Sequence, residues 1–412
     1  MTQQRVVITG MGAVTPLGNT VNEFLDGIFD SRVGLGPITK FDASQTGISV
    51  AGEVKDLQPE LRLSKKLAKR LDLFSVYGMY SAAEAMEQAG LTAAGAIDPE
   101  RLAVIYGSGI GGLTTIEAQV IKMHTKGPKR VSPLFVPNSI VNMVVGNIAM
   151  QFNAQNTSQA IVTACASATN AIGDAYEYLK QGKADAVITG GAEASVNQIG
   201  IAGFAALTAL SKASDPTKAS LPFDQDRQGF VMGEGAGTLV LETLEHAQAR
   251  DANILGEIVG YGTTSDAYHM TAPRPDGAGA KRAMQQAIDE AGITPSDVDY
   301  INAHGTATAA NDSAEAQAID DLFDCHTQVS STKGMTGHLL GAAGAIEAIA
   351  TIGALQRNQL PVNVGCIQQD QACPVNLVNK ATAKTAATYA LSNSFGFGGH
   401  NAVIAFKKWV NE

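Results

Sequence analysis

The chain has 412 residues, of which 45% are hydrophobic and 17% are charged, and this composition excludes a disordered protein. Its length suits two or three ordinary domains or one large duplicated domain. The net charge of −10 argues against nucleic acid as the main ligand.

Neither the N-terminus nor the cysteines indicate export. Residues 1–10 lack a basic region followed by an apolar core, and the longest weakly polar stretch, 339–355, contains Glu347. The four cysteines include no CxxC pair: Cys165, Cys325, Cys366 and Cys373. This pattern argues against a disulfide framework and a zinc ribbon. We therefore expect a cytoplasmic protein that does not span a membrane.

Apolar runs typical of strands alternate with segments typical of helices along most of the chain. The predicted strands are 5–9, 102–106, 160–163, 186–189, 238–242, 300–302 and 403–406. The predicted helices are 64–89, 168–181, 279–291, 312–322 and 342–357. This alternation favours an α/β fold with much parallel sheet.

Positive charge is concentrated in two acid-free windows, at 62–70 and 122–130. The first window contains Lys65, Lys66, Lys69 and Arg70, and the second contains Lys126, Lys129 and Arg130. Each window is typical of a solvated helix face. Basic patches on an acidic protein can also attract an acidic partner, so both interpretations stay open.

Cys165 lies where an apolar run, 160–162, meets a helical pattern that starts near residue 166. A strand-to-helix turn lifts a side chain out of the sheet and directs backbone N–H groups at what that side chain binds. The positive end of the helix dipole also favours thiolate over thiol. Cys165 is therefore a candidate nucleophile, although most free cysteines are small packing residues.

Three stretches of the second half concentrate reactive side chains at predicted element junctions. His304 follows the strand 300–302, Lys333 and His338 lie in the segment 331–338, and a glycine-rich loop occupies 393–401. Such junctions are where α/β sheets present ligand sites. Glycines in the loop would let backbone N–H groups approach a reacting carbonyl.

Each of these features also has a structural interpretation. A histidine is often a buried structural residue, Lys333 could simply pair with the otherwise isolated Glu347, and the glycines could form a tight turn. His304 and His338 could supply two metal ligands, but no nearby cysteine or carboxylate has ligand spacing. We therefore expect no metal site.

Two features of the first half of the chain recur in the second half. A glycine-rich loop runs into a β-branched strand at 230–241 and again at 394–404, and a small-residue turn feeds a long helix at 163–181 and at 336–355. This pattern indicates two duplicated halves. We place them at 1–252 and 253–412, with an insertion at about 108–150 in the first half.

Seven motifs in this order resemble the β-ketoacyl-[acyl-carrier-protein] synthases, specifically the elongating enzymes of dissociated fatty acid synthesis. They are VITGMG at 7–12, TPLG at 15–18, TACAS at 163–167, NAHGT at 302–306, STK at 331–333, TGHLLGAAGA at 336–345 and SFGFGG at 394–399. The resemblance covers essentially the whole chain. It implies a thiolase-like αβαβα fold of five layers, built from two βαβαβαββ halves, and a homodimer.

The resemblance also implies residue roles. Cys165 would carry the acyl chain, with His304, His338 and Lys333 as the other catalytic residues. Glu347 would pair with Lys333. Substrate-binding roles fall on Thr306 and Thr308, which would hold the pantetheine arm, and on Phe397 and Gly398. Phe397 would also gate the acyl pocket, which Ile110 and Phe204 should help to line. The backbone N–H groups of Cys165 and Phe397 would form an oxyanion hole.

The implied reaction is decarboxylative condensation of acyl- and malonyl-carrier proteins to 3-oxoacyl-carrier protein and CO2. No resident cofactor is expected, because phosphopantetheine arrives on the acidic carrier protein, which would dock on the basic windows. A polyketide-type ketosynthase and a non-catalytic chain-length partner subunit are the alternatives. The sequence departs from the family pattern at His400, where the family usually has threonine or serine, so the chain-length preference stays open.

Overall fold

The fold is described from a computed structural model that covers residues 4–93, 95–323 and 326–410; Cys325 lies outside these ranges. The strands are β1 Val6–Val14, β2 Gly36–Pro37, β3 Val50–Ala51, β4 Leu102–Gly107, β5 Ser158–Ile161, β6 Ala186–Glu193, β7 Gly235–Thr243, β8 Gly256–Ser265, β9 Tyr300–Asn302, β10 Gln328–Ser330, β11 Tyr389–Gly396 and β12 His400–Lys407. The helices are α1 Val21–Phe29, α2 Lys65–Ala68, α3 Leu73–Gln88, α4 Leu113–Lys126, α5 Phe135–Ser139, α6 Asn142–Phe152, α7 Ser167–Lys180, α8 Gln198–Ala206, α9 Leu244–Ala249, α10 Ala278–Ala291, α11 Ala309–Asp320, α12 Lys333–Thr336 and α13 Ala343–Arg357.

The main sheet shows the predicted duplication in its strand order, β10-β9-β11-β12-β8-β1-β7-β6-β4-β5. From the centre outward, the strands of the first half run β1-β7-β6-β4-β5 and those of the second half run β8-β12-β11-β9-β10. In both halves the main-sheet strands therefore follow the same order: first, fifth, fourth, second and third along the chain. The outer three strands of each half are parallel, and the inner ones pair antiparallel. A short antiparallel pairing of β1 with β8 joins the halves.

Helices cover both faces of each half, which gives the five layers of a thiolase-like fold. Helices α3 and α6 pack outside the first half, and α10 packs outside the second. Helices α7 and α13 form the middle layer, where each contacts strands from both halves. Alternate residues of β4 face the two sides of the sheet. Leu102 and Val104 belong to the apolar core shared with α3 and α6, whereas Ala103 and Ile105 belong to the apolar core shared with α7 and α13.

In each half, two glycines of a central strand allow the outer helix to pack closely against the sheet. A Cβ on Gly10 or Gly12 of β1 would lie 2.1 or 1.9 Å from a carbonyl oxygen of α3. A Cβ on Gly260 or Gly262 of β8 would lie 2.1 or 1.9 Å from a carbonyl oxygen of α10. Only glycine allows the helix backbone to approach the strand so closely.

The structure refines several sequence predictions. The predicted helix 64–89 is two helices, because Asp72 caps α3 by accepting a hydrogen bond from Phe74 N. Three main-sheet strands were missed: β8, β10 and β11. The insertion at 108–150 contains α4, α5 and most of α6. No helix within the described ranges is long and apolar enough to cross a bilayer.

Candidate active site

The turn that presents Cys165 is a single 3-10 turn, Ala164–Ala166, directly before α7. Ala164 has a φ of 51°, which is unusual for a residue with a side chain. The Ser167 hydroxyl holds this turn, since it donates to Ala164 O at 2.6 Å and accepts from Thr163 N at 2.9 Å. The half-buried thiol therefore stands at the N-terminus of a middle-layer helix.

Both predicted histidines reach this thiol from the second half. His338 Nε2 lies 3.1 Å from Cys165 Sγ, and the rings of His304 and His338 are nearly perpendicular with centroids 5.2 Å apart. Each histidine is only 2% exposed. One sulfur and two imidazole nitrogens thus face a common point, with their ligand atoms within 4.8 Å of one another.

The fold, not the sequence spacing, brings Cys165 to the two histidines. The sequence shows no cysteine or carboxylate at ligand spacing from the histidines, yet the fold places Cys165 beside them, because α7 and α13 pack against each other.

Lys333 and Glu347 form a buried ion pair behind the histidines; each is 1% exposed. Neither lines the cavity described below. Burial holds the pKa of His304 and of His338 well below the usual value, and the nearby Lys333 charge acts in the same direction. Both imidazoles are consequently neutral at neutral pH.

Burial also raises the pKa of Cys165 to about 12, while the Lys333 charge and the Phe397 backbone N–H lower it. The helix dipole had favoured a thiolate at this position. In the folded chain desolvation dominates, so the resting group is a thiol.

Glu315 is a buried residue that the sequence analysis missed. It accepts hydrogen bonds from His304 N and Gly305 N, both at 2.8 Å, and from Asn393 Nδ2 at 3.2 Å. Burial raises its pKa to about 7. Glu315 thereby links the His304 loop to β11, the strand that leads into the glycine-rich loop.

Glu193, at the end of β6, is a second missed carboxylate. Its oxygens accept from Gly109 N at 2.7 Å, Ile110 N at 3.2 Å and Gly341 N at 3.1 Å. It therefore joins the loop after β4 to the turn that carries His338 into α13. The available signal was an acidic residue at the end of an otherwise apolar strand, since a buried carboxylate needs donors.

A cavity of about 440 Å³ opens above the thiol. It is lined by Cys165, Phe204, His304, Thr306, Thr308, His338, Phe397 and neighbouring residues. The hydroxyls of Thr306 and Thr308 lie 2.9 Å apart. Phe204 packs against Phe397 with ring centroids 6.3 Å apart. The wall therefore combines an apolar aromatic side with a pair of hydroxyls.

Two predicted pocket residues lie beside this cavity and do not line it. Ile110 packs in an apolar cluster with Phe204. Gly398 is exposed and donates its N–H to Met270 O at 2.8 Å.

The glycine-rich loop closes over the nucleophile. A Cβ on Gly396 would lie 3.0 Å from Cys165 N, so a glycine here lets the loop approach the thiol. The Phe397 N–H points at Cys165 Sγ. Gly398 and Gly399 have φ values of 87° and 75°. His400 lies against Gly398, where its ring would be 3.0 Å from an added Cβ.

The basic residues lie on the surface of the insertion and of the segment 65–70 that contacts it. We call Lys65, Lys66, Lys69 and Arg70 cluster A, and Lys126, Lys129 and Arg130 cluster B. All seven are exposed and make no ion pair with another described residue. Cluster A contacts the insertion that carries cluster B, because Asn138 of α5 donates to Arg70 O at 2.7 Å and α5 packs against α4. Helix α4 in turn connects to α8 through Glu117, which accepts from Ile199 N.

Two family models match this chain. The model described as "Beta-ketoacyl synthase, N-terminal domain" matches residues 3–247, and the one described as "Beta-ketoacyl synthase, C-terminal domain" matches residues 255–366. The chain belongs to the β-ketoacyl synthase family.

This synthase is similar over nearly its whole length to proteins of known name and to solved structures. It is 47% identical to the 3-oxoacyl-[acyl-carrier-protein] synthase 2 of Staphylococcus aureus strain COL, over 98% of this chain and 99% of that protein. The ishigamide ketosynthase/chain length factor superposes with a TM-score of 0.94 and 32% identity, covering 99% and 100% of the two chains. A type II polyketide ketosynthase, solved with its acyl carrier protein, gives a TM-score of 0.91 and 30% identity, covering 99% and 100%.

Proposed function

We propose that this protein is an elongating 3-oxoacyl-[acyl-carrier-protein] synthase, an acyltransferase of fatty acid biosynthesis. The observation that carries the proposal is the meeting of Cys165 Sγ, His338 and His304 at the floor of one open cavity. A thiol beside a neutral imidazole suits acyl transfer, and two neutral imidazoles suit stabilisation of an enolate. The 47% identity to the Staphylococcus aureus synthase exceeds the 30% identity to the type II polyketide ketosynthase, which favours fatty acid substrates.

The first half-reaction transfers the acyl group from the carrier protein to Cys165. His338 Nε2, at 3.1 Å, accepts the thiol proton as sulfur attacks the thioester carbonyl. The Cys165 and Phe397 N–H groups stabilise the tetrahedral oxyanion. As the intermediate collapses, the C–S bond to pantetheine breaks and the proton passes to the departing sulfur. The products are the Cys165 acyl thioester and the free carrier thiol.

The second half-reaction forms the carbon–carbon bond. Malonyl-carrier protein binds with its pantetheine arm along Thr306 and Thr308. The carboxylate leaves as CO2, and its bonding electrons form an enolate that accepts hydrogen bonds from His304 and His338. The enolate carbon then attacks the Cys165 thioester, which expels the Cys165 thiolate. One proton from solvent restores the thiol.

Low imidazole pKa values fit this second step. A histidine that donates to an enolate without protonating it has to be neutral, with its proton on the nitrogen that faces the substrate. For His338 this is the Nε2–H tautomer, whereas accepting the thiol proton in the first half-reaction uses the Nδ1–H tautomer, so in this proposal the ring changes tautomer between the two half-reactions. Burial and Lys333 both keep the two rings neutral. In this proposal Lys333 and Glu347 are positioning residues, because they act through the histidines and do not line the cavity.

We further propose that the enzyme is a cytoplasmic homodimer. Strand β5 forms an edge of the main sheet, and Val162 directly after it is 53% exposed. Val136, Ile140 and Met150 of the neighbouring insertion are also exposed apolar residues. An unpaired strand edge flanked by apolar surface suits a two-fold contact with a second copy.

Reconstitution tests the main proposal. The purified chain alone, given acyl- and malonyl-carrier proteins, should form 3-oxoacyl-carrier protein and release CO2, as measured by mass spectrometry of the carrier. Product that forms only after another subunit is added would favour the chain-length-partner alternative. A product extended repeatedly without reduction would favour the polyketide-type alternative.

Carrier docking on cluster A gives a separate prediction. Replacing Lys65, Lys69 and Arg70 by glutamate should raise the KM for acyl-carrier protein about 10–100-fold with little change in kcat, because an acidic partner is then repelled. Steady-state kinetics at low and high salt measure this, and the difference should shrink as salt rises.

The control replaces Lys380 and Lys384 by glutamate; both are exposed residues of the second half, in the segment before β11. These changes should leave the KM unaltered. Turnover of a small acyl-pantetheine thioester should be the same in all variants. An unchanged KM in the cluster A variant would move the docking site to cluster B or elsewhere.

A further inference from the structure

Cys165, His304 and His338 also have the chemistry of a metal site. A thiol sulfur and two imidazole nitrogens are borderline-soft donors of the kind that bind Zn²⁺. Their ligand atoms lie within 4.8 Å of one another. Both histidines are buried, and all three residues face the same cavity. We propose that the empty enzyme binds one Zn²⁺ between these residues and is reversibly inhibited by it.

The geometry requires only small shifts. Tetrahedral zinc with bonds of about 2.0–2.3 Å separates its sulfur and nitrogen ligands by about 3.3–3.6 Å. The distance from His338 Nε2 to Cys165 Sγ is already 3.1 Å, and the widest separation within the trio does not exceed 4.8 Å. Side-chain rotation of His304 can close the remaining gap, and the fourth position opens into the cavity, where water can occupy it.

Other features of the site select the ion and limit its affinity. Hard ions such as Mg²⁺ need several oxygen ligands, which the trio does not offer. The Nδ1 atoms of both histidines are buried and have no hydrogen-bond partner among the residues that the structure describes, so these residues do not give a zinc-bound imidazole its usual orienting support. The positive charge of Lys333 also opposes a cation. The site is therefore expected to hold zinc reversibly and not as a permanent structural ion.

Binding and acylation exclude each other, because both use the Cys165 sulfur. When the ion binds, the S–H bond breaks, its proton passes to the buffer and a sulfur–zinc bond forms. Once the sulfur is in a thioester, it has lost its thiolate character and no longer serves as a ligand. Zinc should therefore block acyl transfer but spare condensation by enzyme that already carries an acyl group. This inhibition rests on the proposed function, whereas binding does not.

Cobalt(II) absorption tests binding without any enzymatic assay. Titrating the full-length protein with Co²⁺ should produce a thiolate-to-cobalt charge-transfer band that saturates at one ion per chain and disappears when Zn²⁺ is added. Cys165→Ala should abolish the band, and His304→Gln or His338→Gln should weaken zinc binding by at least about 10–100-fold, the loss typical of removing only an outer-shell partner of a metal. Alkylating wild-type Cys165 with iodoacetamide should also abolish the band, which removes any doubt about the folding of a variant.

Cys366→Ala is the matched control, since Cys366 is another half-buried thiol, and it should keep the band. Zinc should inhibit acyl transfer, and a chelator should restore it. A band that survives in Cys165→Ala, or one that is lost in Cys366→Ala, would overturn the proposed site. A one-to-one band in a protein that fails to condense would retain the metal site and refute the proposed function.

Discussion

Cys165→Ala is expected to abolish acyl loading and to reduce condensation by about 10⁴-fold or more, since no other group can carry the acyl chain. Intact-mass spectrometry after incubation with acyl-carrier protein measures the loading directly. The wild-type chain should gain the acyl mass, and the variant should not. Cys165 is half-buried and the change removes a single sulfur atom, so the fold and the unfolding temperature should change little.

The same variant should keep part of the chemistry. His304 and His338 remain in place, so malonyl-carrier protein should still lose CO2, and acetyl-carrier protein should accumulate in place of the condensed product. Cys366→Ala is the control and should behave as wild type in both assays. Acyl mass that persists on the Cys165 variant would assign the nucleophile to another residue.

The second large effect concerns the buried pair of Lys333 and Glu347. Lys333→Met should destabilise the protein by about 3–5 kcal/mol, because it leaves the Glu347 carboxylate buried without its counter-charge. Chemical denaturation measures this change in the free energy of unfolding. Lys333→Met combined with Glu347→Leu should recover most of the stability, because no unpaired charge is then buried.

Activity should not recover in that double variant, and its pH dependence should show why. Lys333 helps to lower the pKa of both histidines, so its loss lets these pKa values rise. The reaction needs neutral imidazoles, so the acid side of the kcat profile should move to higher pH. The shift should be partial, because burial is the larger cause and persists. A double variant with wild-type kcat at every pH would assign the pair a purely structural role.

The sequence predicted the type of fold well, and its misses have physical causes. The missed strand β11 has three polar residues at its centre, Ser392, Asn393 and Ser394, which break the apolar pattern of a buried strand. All three are buried nonetheless. Two of them find partners from other elements, since the hydroxyls of Ser394 and Thr169 lie 2.7 Å apart and Asn393 Nδ2 donates to Glu315, whereas the Ser392 hydroxyl has no hydrogen-bond partner among the described residues. These partners are distant in sequence and could not be read from it.

The protonation of the site was likewise beyond the sequence. Position alone placed Cys165 at a helix N-terminus, where the dipole favours a thiolate. Burial acts in the opposite direction and is stronger, so the pKa rises to about 12. Desolvation depends on everything that surrounds a group, and local sequence describes only its chain neighbours.

The amino-acid sequence by itself determined the duplication, the strand-to-helix turn at Cys165, the motifs that carry the histidines and the family they resemble. Only the tertiary packing brings Cys165 of one half to 3.1 Å from His338 Nε2 of the other half and places the ligand atoms of Cys165, His304 and His338 within 4.8 Å of one another. The reason is that local propensities specify each turn, whereas the packing of α7 against α13 sets the distance between the turns. The same packing buries the two imidazoles and the thiol, and burial sets their charge.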